Sequence, residues 1–149
     1  MEQSLIIDQS TTTIGPVEQN EFGDRFFCNL NHLTFHKVSA KTVFDAEFSS
    51  ALFRVNNLYV VIGTDSGLLP RHIIEMGIPE GTRYIFIEPA LILSQLQVEG
   101  VLESHEHCIY ADEESWLEAM DVFKMTEYFF INGVSTLNAL CAQINALDA

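Results

Sequence analysis

Basic residues are scarce in this chain. Seven Lys and Arg stand against 21 Asp and Glu, for a formal net charge of −14. A chain so charged repels phosphate backbones and anionic lipid, which argues against nucleic-acid and membrane-surface binding. Cysteine is also sparse. Cys28, Cys108 and Cys141 are odd in number and lack paired spacing, so reduced thiols and a cytoplasmic home are expected. No apolar run approaches the ~20 residues that span a bilayer, and "MEQSLIIDQS" has no signal pattern. No Gly-Lys-Ser/Thr occurs, which excludes a P-loop.

What is present is a core-forming composition, 48% apolar over 149 residues. That fits one domain with a small appendage. Residues 1–56 form an N-terminal segment without strand–helix alternation. Within it, "DRFFCNLNHLTFHKV" has no clean period. "SAKTVFDAEFSSALFRV" places Val43, Phe44, Phe48, Leu52 and Val55 at helical steps.

From residue 57 to 149 the pattern is regular. "LYVVIG", "RYIFIEP", "HCIYAD" and "EYFFING" read as short strands. The helices between and after them are "GLLPRHIIEM", "ALILSQLQVEGVLE", "EESWLEAMDVF" and "STLNALCAQINAL". The expected helix faces are Leu69, Ile73 and Met76; Leu91, Leu93, Leu96 and Val98; Trp116, Leu117, Met120 and Phe123; and Leu137, Leu140, Cys141 and Ile144. Glu113 and Glu114 are expected in the first turn of the third helix, where the dipole favours acids. Four strands alternating with helices predict a Rossmann-like α/β fold. Its open parallel sheet carries helices on both faces and is preceded by the small N-terminal segment. Because a doubly wound sheet usually continues past four strands, the chain reads as part of a longer protein.

Ligands of such sheets bind beyond the carboxyl ends of the strands. That edge gathers Gly63, Thr64, Asp65, Ser66 and Gly67, then Glu88, Asp112 and Asn132. A nucleoside pocket would use the glycines for close approach, Glu88 for a ribose and Asp112 for a base. Glu88 follows Gly63 by 25 residues, near the offset of a ribose-binding acid. Equally, any strand-to-helix turn favours Gly, Asp and Ser for geometry and capping. Both readings stand at this point. A dinucleotide fits less well. Asp65 occupies the place of the fingerprint's second glycine, where its carboxylate opposes a pyrophosphate.

Other groups carry less. His105, His107 and Cys108 lack the partner pair of a zinc site, so no metal is assigned. "GTDSG" is not Gly-x-Ser-x-Gly, and no histidine follows His107, so Ser66 is read as a turn or cap residue and no catalytic residue is assigned. His72 reads as half-exposed surface, and Trp116 and the Phe129–Phe130 pair as core. Glu99 to Asp121 contains eight acids and no Lys or Arg. It reads as a solvated face, with a docking surface for a basic partner as the sharper alternative.

"VVIGTDSGLLPRHI", "YIFIEPA" and "CIYADEESW" resemble the motifs of class I S-adenosylmethionine-dependent methyltransferases. That resemblance implies a methyl-donor site at Gly63, Gly67, Glu88 and Asp112. Val61 stands where that family carries an acid, and Asp65 where it carries its central glycine. A longer stretch, "ALFRVNNLYVVIGTDSGLLPRHIIEMGIPEGTRYIFIEPALILSQLQ", is similar to the amino-terminal domain of motility accessory factor (Maf) proteins, which take part in bacterial flagellin glycosylation. In that family a Rossmann-like domain precedes a central domain implicated in attaching nonulosonic acids. This second resemblance implies an accessory domain, not catalytic on its own, that positions a protein partner or the remaining domains of a longer chain. Neither resemblance fixes a cofactor; a nucleotide sugar and S-adenosylmethionine are the two candidates.

Overall fold

The computed structural model describes residues 15–124 and 127–132. The expected helix over 135–147, and Cys141 with it, lies outside the described residues. The described residues begin with an antiparallel hairpin, β1 (Val17–Gln19) and β2 (Arg25–Phe27), followed directly by α1 (Cys28–Phe35) and then α2 (Ala40–Phe48). An alternating unit follows: β3 (Leu58–Ile62), α3 (Leu68–Met76), β4 (Arg83–Ile87), α4 (Ala90–Glu99), β5 (Cys108–Ala111), α5 (Trp116–Phe123) and β6 (Phe129–Asn132).

The four strands β3 to β6 form one parallel sheet in the order β5-β4-β3-β6. The α/β Rossmann-like architecture expected from the strand–helix alternation is therefore present. All five residues of β3 are buried, which is why its sequence is apolar without alternation. Its side chains divide between two cores. Tyr59 and Val61 join Tyr84 and Phe86 on the face covered by α2 and α3, with Phe44, Phe48, Leu69 and Ile73. Leu58, Val60 and Ile62 join Ile85, Ile87 and Trp116 on the face covered by α5.

The first three strands step outward from β3 to β5, and β6 then returns to the other side of β3. The direction of winding thus reverses between β3 and β6. That reversal is where doubly wound sheets open a crevice at their carboxyl edge.

The N-terminal residues build a small unit of their own. Asn20 organises it: its Oδ1 accepts from the N–H of Phe22 (2.9 Å) and of Asp24 (3.0 Å), and its Nδ2 donates to Phe35 O (2.9 Å). Phe35 packs edge-on to Phe44, so α1 and α2 share the core beneath the sheet. Ser39 caps α2 by accepting from Thr42 N–H at 3.1 Å.

Several helix faces differ from the expected ones. α2 stops at Phe48, before Ser49, whose φ of 50° leaves the helical region; Val55 lies beyond it and is exposed. On α4 the buried residues are Ile92, Leu93 and Leu96, while Leu91 and Val98 face solvent. A helix apolar on most sides offers no unique face to read, and the contact with Phe27 selects one. α5 starts at Trp116, so Glu113 and Glu114 precede it; Ala119 rather than Leu117 completes its buried side. Phe129 and Met76 are exposed. His72 is buried rather than half-exposed, at 9% exposure, against Phe44 and Phe53. Burial lowers its pKa, and Asp45, 3.8 Å away, partly opposes that.

Candidate functional site

Parallel register aligns the strand ends. Ile62 pairs with Ile87 and with Asn132, and Ile87 pairs with Ala111. The next residues, Gly63, Glu88 and Asp112, therefore share one row at the carboxyl edge. Gly63 N–H donates to Ile87 O (2.8 Å) and Glu88 N–H to Ala111 O (3.1 Å), carrying the ladder into that row.

Gly63 has a φ of 95°, and Asp65, Ser66 and Gly67 follow with φ of 51°, 62° and 85°. Three successive left-handed residues make a tight reversed turn. Such a backbone costs an ordinary L-residue roughly 1–2 kcal/mol, so surrounding contacts must hold it. The turn is closed by Gly67 N–H to Thr64 O (3.0 Å), Leu68 N–H to Asp65 O (3.0 Å) and Leu69 N–H to Thr64 O (3.1 Å). Gly67 N–H also reaches Thr64 Oγ1 at 3.2 Å. Thr64 in turn donates its own N–H (2.8 Å) and its hydroxyl (2.7 Å) to Glu88 Oε2.

These bonds change what the turn can do. A phosphate cradle needs free N–H groups at the start of the following helix. Here the N–H groups of Thr64, Gly67, Leu68 and Leu69 already donate to this chain's own oxygens.

The N-terminal unit covers the turn from outside. Ser66 Oγ accepts from Phe27 N–H at 3.1 Å and donates its hydroxyl to Asn31 Oδ1. Asn31 Nδ2 donates to Asp65 Oδ1 at 3.4 Å. A side chain added at Gly67 would meet Val101 O at 2.7 Å, so the α4–β5 loop closes the turn as well. Thr64, Asp65, Ser66 and Glu88 are all buried. Ser66 thus acts as a tertiary clasp between the sheet edge and α1. It does not cap α3, whose N-cap residue is Gly67.

Glu88 is 7% exposed. Burial is the largest influence on its carboxyl and raises the pKa to about 7; the Thr64 hydrogen bonds oppose this, and the nearby Asp65 carboxylate adds to it. Asp112 is the opposite case. Its Oδ1 accepts from the N–H of Glu114 and of Ser115 and from the Ser115 hydroxyl, each at 2.9 Å. The Glu114 N–H, first among these, holds its pKa below the ordinary carboxylate value. This is the capping geometry of a turn that leads into α5. Glu113 Oε1 accepts from Ala90 N–H at 3.1 Å and fastens the start of α4.

The structure therefore brings Gly63, Thr64, Asp65, Ser66, Gly67 and Glu88 into one bonded cluster. Asp112 is turned into a separate cap, and Asn132 ends β6 as an exposed residue. Phe27, Asn31 and Val101 belong to the cluster and were not among the sequence candidates. One signal for Asn31 was available. Phe27, Asn31 and Phe35 are spaced by four, which puts a polar residue on an apolar helical stripe, and such a residue needs a buried hydrogen-bond partner.

The remaining candidates stay apart. The rings of His105 and His107 lie 5.2 Å apart, while Cys108 turns into the sheet core, where burial pushes its thiol up to about 12. Among the described residues no group of three His, Cys, Asp or Glu has the geometry to hold a metal ion, and no helix is long and apolar enough to cross a membrane. Comparison with known proteins gives no match to a family model, to a curated protein or to a solved structure.

Proposed function

We propose that this chain is a non-catalytic α/β positioning module, one that holds a protein partner or the further domains of a longer chain. One observation carries the reading: the turn amides of Thr64, Gly67, Leu68 and Leu69 donate to this chain's own oxygens. The resemblance to the amino-terminal domain of motility accessory factor proteins supplies the setting. In that setting the module serves bacterial flagellin glycosylation beside a domain that transfers nonulosonic acids. The net charge of −14 suits a basic partner.

A methyltransferase-like role would need Glu88 open to a ribose and Asp112 open to a base. Glu88 is buried on Thr64, and Asp112 turns its Oδ1 into its own cap.

A thermal-shift and calorimetry screen tests the reading. The ligands are S-adenosylmethionine, S-adenosylhomocysteine and a cytidine-nucleotide sugar. A ligand present at 1,000 times its Kd stabilises a protein by ~4 kcal/mol, a rise in Tm of roughly 10 °C for a chain of this size. No rise is expected with any of the three. A saturable rise that Glu88→Ala abolishes would overturn the proposal.

A further inference from the structure

Two histidines meet at the end of α1. His32 lies in its last turn, and His36 follows as its C-cap residue, still helical, with its N–H on His32 O at 3.0 Å. A spacing of four puts both side chains on one side of the helix. Their ring centroids are 4.4 Å apart and their planes differ by 18°. Two imidazoles that share one ion through bonds of about 2.0–2.1 Å have ring centres roughly 4.5–5 Å apart. His36 is exposed, so rotation about its side-chain bonds can turn a ring nitrogen onto an ion held by His32.

A neighbouring strand orients the first ring. Glu18, on β1, places Oε1 2.7 Å from His32 Nδ1. A carboxylate accepts, so Nδ1 carries the proton, and in the neutral imidazole the lone pair sits on Nε2. A carboxylate behind a histidine in this way fixes the tautomer of a metal ligand and raises its basicity. The other histidines are differently disposed. His72 is buried among aromatic rings. His105 Nδ1 accepts from His107 N–H at 3.0 Å, which uses the lone pair of that ring.

The surroundings also favour a cation. The carboxyl end of a helix carries partial negative charge, and the chain as a whole carries a net charge of −14. Glu18 and His32 are only partly covered, so an ion can reach the pair and keep water on its remaining positions. Imidazole suits zinc, copper and nickel, whereas magnesium and calcium take oxygen ligands.

We propose that His32 and His36 form a two-imidazole site for a divalent transition-metal ion of the zinc class, with Glu18 as the residue that positions His32. Two protein ligands are fewer than the four of a closed structural zinc site, so the ion is exchangeable. Through Glu18 the ion links β1 to the end of α1. The inference does not depend on the positioning role: metal titration decides one, and the ligand screen decides the other.

Zinc chloride titrated into the tag-free full chain at pH 7.5 tests the site, by calorimetry and by NMR of the imidazole nitrogens. Saturable binding is expected, with the His32 Nε2 resonance shifted at saturation. Glu18→Gln is expected to weaken binding about tenfold, and His32→Ala and His36→Ala at least as much. His105→Ala is expected to bind as the wild type does, and magnesium chloride to leave the His32 resonance in place. An absence of saturable zinc binding would overturn the site. Binding that survives His32→Ala or His36→Ala, or that is lost in His105→Ala, would overturn it too. An unshifted His32 Nε2 in the wild type would do so whatever the variants show, and unchanged affinity in Glu18→Gln would remove Glu18 from it.

Discussion

Glu88→Gln is expected to stabilise the protein at pH 8 and to do so much less at pH 5. The reason is linkage. The folded-state pKa of Glu88 is raised to about 7 from an ordinary 4.5, so the folded chain binds this proton more tightly than the unfolded chain does. The stability it contributes is fully present below pH 4.5 and is lost as pH rises towards 7. A shift of that size corresponds to about 3 kcal/mol at most. Glutamine keeps an oxygen to accept the two Thr64 hydrogen bonds and never ionises, so it imitates the protonated acid. Urea denaturation of wild type and variant across pH 5 to 8 checks this. The useful quantity is their difference, because the many other acids titrate in both proteins and cancel. A difference that stays flat with pH would mean that Glu88 ionises without cost where it sits.

Gly67→Ala is expected to cost about 3 kcal/mol, from two sources that can be told apart. An L-residue at the left-handed φ of 85° loses roughly 1–2 kcal/mol. The new methyl would also lie 2.7 Å from the carbonyl oxygen of Val101. That neighbour is backbone and cannot swing aside, so an overpacking cost of ~1–3 kcal/mol is added. Gly100→Ala supplies the control. Gly100 is also left-handed, with a φ of 69°, yet a methyl group placed there would meet nothing within 4 Å. It should therefore show the backbone cost alone. Equal losses at the two glycines in chemical denaturation would mean that the α4–β5 loop does not close the turn.

Much of the sheet was legible because its signal is local. β3, β4 and β5 are short apolar runs ending at Gly63, at Glu88–Pro89 and at Asp112, and a strand covered on both faces has to look that way. The row of strand ends followed from the alternation, so Gly63, Glu88 and Asp112 could be placed together before any distance was known. What those residues do there was not legible. Asn31 meets Ser66 across 35 residues of sequence, and no local pattern encodes so distant a partner. The hairpin escaped for a different reason. Its strands are three residues long, too short to establish a period, and β2 runs into α1 without a break. His72 was misjudged because its surroundings come from α2 and from Phe53, not from its own helix.

The proposed positioning role also takes in the acidic surface. The acids between Glu99 and Asp121 are mostly exposed, and Asp112 and Glu113 tie local corners. Charge of one sign on a covered α/β sheet favours encounter with a basic partner, and it does not require a pocket.

The claim at the centre of this account is that the sheet edge is filled by the chain's own α1. A double-mutant cycle on Asn31→Ala and Ser66→Ala at pH 6 tests it most directly. The two side chains form a buried hydrogen bond across the clasp, so a coupling energy of about 1–3 kcal/mol is expected. A coupling indistinguishable from zero would mean that α1 does not sit on the turn, and that the edge is open.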